Sequence, residues 1–219
     1  MRRTRIKICG LTRVEDLLCA AACGADAVGF VCYERSPRFV DAGRLRELAR
    51  ALPPFVTPVL LFVNAAPDQV RACLAEVPNA LLQFHGDEAA AECDRFRRPY
   101  LRAVRVGAGV DLLDCARTFA SAIALLADAP TAGFGGSGTV FDWARLPEPG
   151  QRTMPLVLAG GLNESNVSDA IERVRPFAVD VSSGVESAPG IKSAERMQGF
   201  CAAVRLADRR LHPELANAA

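Results

Sequence analysis

Apolar and polar positions alternate along this chain in a way that predicts short strands and amphipathic helices in strict succession. The chain opens on Arg5-Ile6-Lys7-Ile8-Cys9, where a period of two puts Ile6 and Ile8 on one face and Arg5, Lys7 and Cys9 on the other. Gly10-Leu11-Thr12 then allows a sharp turn beside the thiol. Val14, Leu17, Leu18, Ala21 and Ala22 follow helical spacing and predict a helix ending at Gly24. Residues 26–31 form a nearly continuous apolar run, the signature of a strand buried on both faces of a parallel sheet. A polar loop at 33–38 leads to a helix over about 42–51.

The same alternation continues to the end. Strands are expected at 56–63, 80–85, 100–106, 122–128, 156–159 and 177–181. Helices are expected at 67–76, 88–96, 110–119, 163–174 and 193–206, with a glycine-rich loop and a short helix near Asp142 after the sixth strand. Eight β–α units at even spacing predict an α/β fold: a single (β/α)8 TIM barrel of parallel strands, with its active site at the C-terminal face. An open doubly wound sheet is the alternative, and it would need fewer strands in one sheet or a second domain. Residues 1–208 are assigned to the barrel and 209–219 to a short frayed tail.

Composition removes several functional classes. A formal net charge of +1 gives no electrostatic surplus that points to nucleic acid or a membrane surface. There are eight cysteines but no CxxC, and His85 and His212 are the only histidines, so neither a disulfide scaffold nor a zinc site is expected. Residues 1–5 are basic and run straight into the first strand, without the apolar core of a signal peptide. These features predict a reduced, cytoplasmic protein. Gly133-Phe134-Gly135-Gly136-Ser137-Gly138 matches GxGxxG, but it stands several residues past its strand and is read as a mobile loop over the site.

In a barrel of this kind chemistry comes from the C-terminal strand ends. The polar residues there are Cys9, Arg38, Asn64, Gln83, His85, Asp128, the stretch Gly160-Gly161-Leu162-Asn163, and Ser182-Ser183-Gly184. Gly160 and Gly161, with Asn163 capping the next helix, and Ser182, Ser183 and Gly184 beside them, read either as tight turns or as a phosphate cradle. Asp128 is either a simple cap or the partner of Cys9 in proton transfer, a thiol and a carboxyl working without a metal. Cys9 itself could be one more buried apolar residue. Arg38 is either an exposed loop charge or a planar fork for a substrate carboxylate.

The resemblance that weighs these alternatives rests on Lys7-Ile8-Cys9-Gly10-Leu11-Thr12, Ser36-Pro37-Arg38, Phe62-Val63-Asn64, Gln83-Phe84-His85-Gly86, Phe141-Asp142-Trp143, Ala159-Gly160-Gly161-Leu162-Asn163 and Val179-Asp180-Val181-Ser182-Ser183-Gly184-Val185-Glu186. In that order, and with Gly135-Gly136-Ser137-Gly138, they resemble the phosphoribosylanthranilate isomerases over nearly the whole chain. The resemblance implies an Amadori rearrangement of N-(5-phosphoribosyl)anthranilate to 1-(o-carboxyphenylamino)-1-deoxyribulose 5-phosphate in tryptophan biosynthesis, with no cofactor. It implies Cys9 as general base, Asp128 as general acid and Arg38 as the carboxylate anchor. His85, Gly160, Gly161, Asn163, Asp180, Ser182, Ser183 and Gly184 join Arg38 as expected substrate contacts. Phe84 and Ala127 depart from the family's usual leucines without replacing a chemical group. A barrel forming indole-glycerol phosphate would want a more lysine-rich rim, and a silent phosphate-binding relative would not need Cys9, Arg38 and Asp128 together.

Alternation also places Lys7 just beneath Cys9, and closure of a barrel sets strand eight beside strand one. A buried Lys7–Asp180 pair under Cys9 is therefore expected, with the ammonium lowering the thiol pKa modestly from about 8.5.

Overall fold

The computed structural model describes residues 3–130 and 140–213. The glycine-rich stretch 133–138, read above as a loop over the site, lies outside the described residues, as does the end of the tail, 214–219. In chain order the elements are β1 (Arg5–Cys9), α1 (Val14–Ala22), β2 (Ala27–Val31), α2 (Ala42–Ala51), β3 (Thr57–Phe62), α3 (Pro67–Glu76), β4 (Leu81–Phe84), α4 (Ala90–Asp94), β5 (Tyr100–Arg105), α5 (Leu112–Thr118) and β6 (Ala124–Asp128). Then come β7 (Leu156–Leu158), α6 (Val167–Val174), β8 (Ala178–Val181), the antiparallel hairpin of β9 (Glu186–Ala188) and β10 (Ile191–Lys192), and α7 (Ala194–Leu211). Single 3-10 turns at Trp143–Arg145 and Pro149–Gln151 lie between β6 and β7.

Strands β1 to β8 form a closed parallel barrel in sequence order, the expected (β/α)8 architecture. Alternation along each strand divides the core in two. Ile6, Ile8, Phe30, Leu60, Leu82, Leu125 and Val179 face outward into the layer between strands and helices. Val59, Leu101, Ala103, Leu126, Val157 and Ala178 fill the inside of the barrel. Above them Cys9, Val31, Leu61 and Val63 form the apolar part of the mouth.

The helix starts follow local chemistry. Asp41 accepts from the Arg44 N–H, Asp111 from the Leu113 N–H and Ser193 from the Arg196 N–H, while Pro67 occupies the first turn of α3. Three helices differ most from the sequence expectation. Helix α4 shortens to Ala90–Asp94, and α7 runs on to Leu211. Helix α6 begins at Val167 with Asn166 at its N-cap, so Asn163 does not cap it. Instead the Asn163 Oδ1 accepts from the Ser165 N–H at 2.9 Å and its Oγ–H at 2.6 Å, and closes a turn ahead of the helix. The β9–β10 hairpin was not expected at all.

All eight cysteines are free. Among the described residues no cluster of three or more His, Cys, Asp or Glu is placed to hold a metal ion, and no helix is long and apolar enough to cross a membrane.

Helix α7 ties down the start of the barrel. Buried Asp208 accepts from the Thr4 N–H through both oxygens, at 3.1 and 3.0 Å, and from the Thr4 hydroxyl at 2.7 Å. Asp208→Ala strands these donors and should cost roughly 1–3 kcal/mol in urea unfolding. Asp208 is remote from the mouth, so kcat/KM at 25 °C should stay within about twofold of the wild type.

Candidate active site

The C-terminal strand ends open into one cavity. Cys9 reaches it from β1, Arg38 from the loop after β2, Gln83 from β4 and His85 from just past it, and Asp128 from the end of β6. Gly160 and Gly161 line it after β7, and Asp180, Ser182, Ser183 and Gly184 line it from β8 and the turn beyond. The sequence-selected residues thus converge, with three exceptions: Lys7 lies beneath the cavity, and Asn64 and Asn163 stand outside its lining.

Closure of the barrel pairs β1 with β8 and sets Lys7 directly opposite Asp180. Their side chains, both buried, meet with Nζ 2.9 Å from Oδ1. Burial opposes the Lys7 charge, and Asp180 and Cys9 more than restore it, so its pKa stands above the ordinary lysine value. The expected effect on Cys9 is overturned. Burial pushes the thiol up, Lys7 pulls it down, and Asp180 opposes Lys7; the net shift is upward from the ordinary value. Lys7 acts in the direction expected, but it is outweighed by desolvation of a thiolate in a closed barrel mouth.

Asp128 is fixed through both oxygens. Oδ1 accepts from the Ala129 N–H at 2.8 Å, and Oδ2 lies 3.0 Å from Nε2 of His85. The other ring nitrogen of His85, Nδ1, is 3.0 Å from Nε2 of Gln83. With the Gln83 amide donating to Nδ1, the imidazole carries its proton on Nε2 and donates to the Asp128 carboxylate. Gln83 is fully buried and its Oε1 has no partner among the described residues. Rotating that amide brings Oε1 to Nδ1 and makes Nε2 an acceptor, which suits a protonated Asp128.

The ends of the cavity differ. At one, Arg38 is forked onto Glu186, with Nε 2.7 Å from Oε1 and Nη2 2.7 Å from Oε2. At the other, Gly160 and Gly161 both take positive φ, +81° and +66°, a backbone conformation that favours glycine. Gly184 sits so close to this turn that a Cβ would come 2.0 Å from the Leu162 carbonyl oxygen. Ser183 and Gly184 open a 3-10 turn whose first N–H groups are unused by the turn itself.

Four functional or supporting residues escaped the sequence reading: Glu186, Lys192, Glu88 and Arg102. Buried Glu88 accepts from the Asn64 N–H at 2.7 Å, the Gly86 N–H at 2.9 Å and Arg102 Nη1 at 2.8 Å. Arg102 also donates to the Gly86 carbonyl at 2.9 Å, so this ion pair holds the turn that carries His85. No spacing signal marks it, because its partners come from three different strand ends.

The model of the N-(5'-phosphoribosyl)anthranilate (PRA) isomerase family matches residues 6–203. The chain belongs to this family. It is 59% identical over 208 residues to the N-(5'-phosphoribosyl)anthranilate isomerase of Leptothrix cholodnii, covering 95% of this chain and 94% of that relative. The crystal structure of phosphoribosyl anthranilate isomerase from Thermus thermophilus superposes with a TM-score of 0.84 at 33% identity, over 93% of this chain and 99% of that one. A further structure of the family enzyme, in complex with reduced 1-(o-carboxyphenylamino)-1-deoxyribulose 5-phosphate, superposes with a TM-score of 0.77 at 36% identity, over 92% of this chain and 98% of that one.

The buried Glu88–Arg102 pair yields a direct expectation. Glu88→Gln leaves Arg102 without its counter-charge and should cost roughly 3–5 kcal/mol in urea unfolding. Arg102→Met combined with Glu88→Gln should recover part of that loss, since no unpaired charge remains.

Proposed function

We propose that this member of the family isomerises N-(5-phosphoribosyl)anthranilate to 1-(o-carboxyphenylamino)-1-deoxyribulose 5-phosphate, in the cytoplasm, with Cys9 as general base and Asp128 as general acid. The observation that carries the assignment of roles is that Cys9 and Asp128 line a single cavity, while its other carboxyl, Asp180, is tied to Lys7. Arg38 serves the anthranilate carboxylate. The turns at 160–161 and 182–184 serve the phosphate. His85 acts on the substrate through Asp128, and Asp180 through Lys7 and Cys9.

The steps follow from these positions. Asp128 gives its proton to the furanose ring oxygen as the C1–O bond breaks, leaving the ring-opened iminium. The Cys9 thiolate takes the proton from C2 and a neutral enolamine forms. The ketone appears when C1 gains a proton, returned from Cys9, and the C2 hydroxyl loses one to Asp128. Protons balance over the cycle, no electrons leave the substrate, and all transfers are of the general acid–base kind.

The raised pKa of Cys9 determines how this cycle starts. In water a carboxyl loses its proton before a thiol does. The productive form, thiolate with carboxylic acid, is then a proton isomer of the resting form, thiol with carboxylate. The pair works with one shared proton, and its pH limbs belong to the pair. Activity is lost at low pH when a second proton arrives, and at high pH when the single one leaves. The alkaline limb is therefore the one that Cys9 governs.

Turnover of freshly made phosphoribosylanthranilate, followed as loss of its fluorescence, tests the activity itself. Asp128→Asn should lower kcat by about 10²–10⁴-fold while the reduced product analogue still binds. Activity within a few-fold of the wild type would remove Asp128 from the mechanism. Lys7→Met takes away a charge that lowers the Cys9 pKa. The alkaline limb and the Cys9 alkylation pKa should both move to higher pH, and the rate at the optimum should fall because less of the productive form is present. An alkylation pKa that moves while the alkaline limb stays fixed would assign that limb to another group.

A further inference from the structure

The unexpected β9–β10 hairpin delivers two buried charges to the mouth of the barrel. Its register sets Lys192 opposite Glu186. The Lys192 side chain is wholly buried, and its Nζ lies 2.8 Å from Glu186 Oε1 and 3.1 Å from the Ser182 carbonyl oxygen. The main-chain N–H of Lys192 is held by Asp16 Oδ2 at 3.0 Å, and Arg196 donates to the Glu186 main-chain oxygen. Glu186 turns both of its carboxylate oxygens to Arg38 as well. Burial pushes the Glu186 carboxyl up, but Arg38 and Lys192 outweigh it and hold it below the usual carboxylate range.

A guanidinium has two edges that can grip a carboxylate. Glu186 occupies the edge formed by Nε and Nη2. The outer edge, Nη1 with the remaining N–H of Nη2, makes no hydrogen bond among the described residues, and Arg38 lines the cavity. A fork clamped on one edge is fixed in its plane, so the outer edge is presented in one orientation. Glu186 alone would cancel the charge of Arg38, and Lys192 restores it: two cations and one anion leave one net positive charge.

We propose that Glu186 and Lys192 are positioning residues that orient Arg38 and balance its charge, and so set the enzyme's selectivity for a ligand bearing a planar carboxylate. The proposal rests on the reading of Arg38 as the carboxylate anchor. Lys192 also touches the main chain at Ser182, which couples the two anion-binding ends of the cavity through one buried cation.

The test is a ratio of affinities. Reduced 1-(o-carboxyphenylamino)-1-deoxyribulose 5-phosphate and its counterpart lacking the carboxyl are titrated calorimetrically against the wild type, Arg38→Met, Glu186→Gln, Glu186→Gln/Lys192→Met and Arg38→Met/Glu186→Gln. Glu186→Gln should lower the preference for the carboxylated ligand by about tenfold or more, with the other ligand within about twofold. In the Arg38→Met background the same change should add nothing, because there is no fork left to position. The Glu186→Gln/Lys192→Met variant carries no unpaired buried charge, and it should show the same loss of preference if the single variant folds poorly. A preference kept in both Glu186 variants while Arg38→Met abolishes it would overturn the proposal and leave the anchor intact. A preference untouched by Arg38→Met would remove the anchor itself, and the proposal with it. Failure of both Glu186 variants to fold would assign the pair to stability alone and also overturn it.

Discussion

The contact on which the site depends is the one that closes the barrel. Strand β1 meets β8 in a register that sets Lys7 against Asp180, 2.9 Å apart and buried. A buried ion pair recovers little beyond its own desolvation, and well-packed apolar residues of similar volume would often be as stable. This pair lies where the barrel interior changes from Val, Leu and Ala to the polar mouth. Its effect is electrostatic: it holds a cation under Cys9 and fixes that cation with Asp180, whose own charge limits what the cation can do. The thiol stays above its ordinary pKa, and the proposed mechanism therefore starts from a protonated cysteine.

That constraint gives meaning to the line Gln83, His85, Asp128. A site that exchanges one proton between a thiol and a carboxyl needs the carboxyl to be comfortable in both states. A carboxylate wants a donor and a carboxylic acid wants an acceptor. His85 provides either, according to which ring nitrogen bears the proton, and Gln83 provides either by turning its amide. Among the described residues the buried Oε1 of Gln83 finds no partner, so in the orientation present the cluster is satisfied only in part.

The barrel was legible because its signals are local and repeated. Ile6 and Ile8 face the helices and Lys7 and Cys9 face inward for no deeper reason than a period of two. Convergence of Cys9, Arg38, Asp128, Gly160 and Ser182 followed once the strands were counted. Asn163 misled because Asn163, Ser165 and Asn166 all have side chains suited to a cap, and which one takes the position depends on how the chain leaves β7. The Cys9 shift misled because alternation reveals the neighbouring charge but not the depth of burial, and depth decided the sign. The hairpin left a faint trace: Pro189-Gly190 is a turn dipeptide, and it lies between Glu186 and Lys192. Two short strands around it carry too little apolar pattern to be seen. Glu88 and Arg102 left none, being joined only by the pairing of β4 with β5.

On the proposed reading, the two ends of the cavity hold negative charge by different means, and the difference explains why one of them needs so much support. A phosphate offers oxygens in several directions, so backbone N–H groups from tight turns suffice, and the backbone is rigid wherever glycine geometry has fixed it. A carboxylate on an aromatic ring is planar and asks for a donor pair in its own plane. Only a side chain of Arg type supplies that, and a long side chain has rotamer freedom to lose. Arg38 loses it in advance, because Glu186 holds one edge and the hairpin holds Glu186. The result is a mouth in which the phosphate end is preorganised by the main chain and the carboxylate end by a chain of ion pairs. On that reading, substitutions at Glu186 alter which anion is preferred, while Lys192, whose charge also acts on Cys9, links the hairpin to the thiol as well.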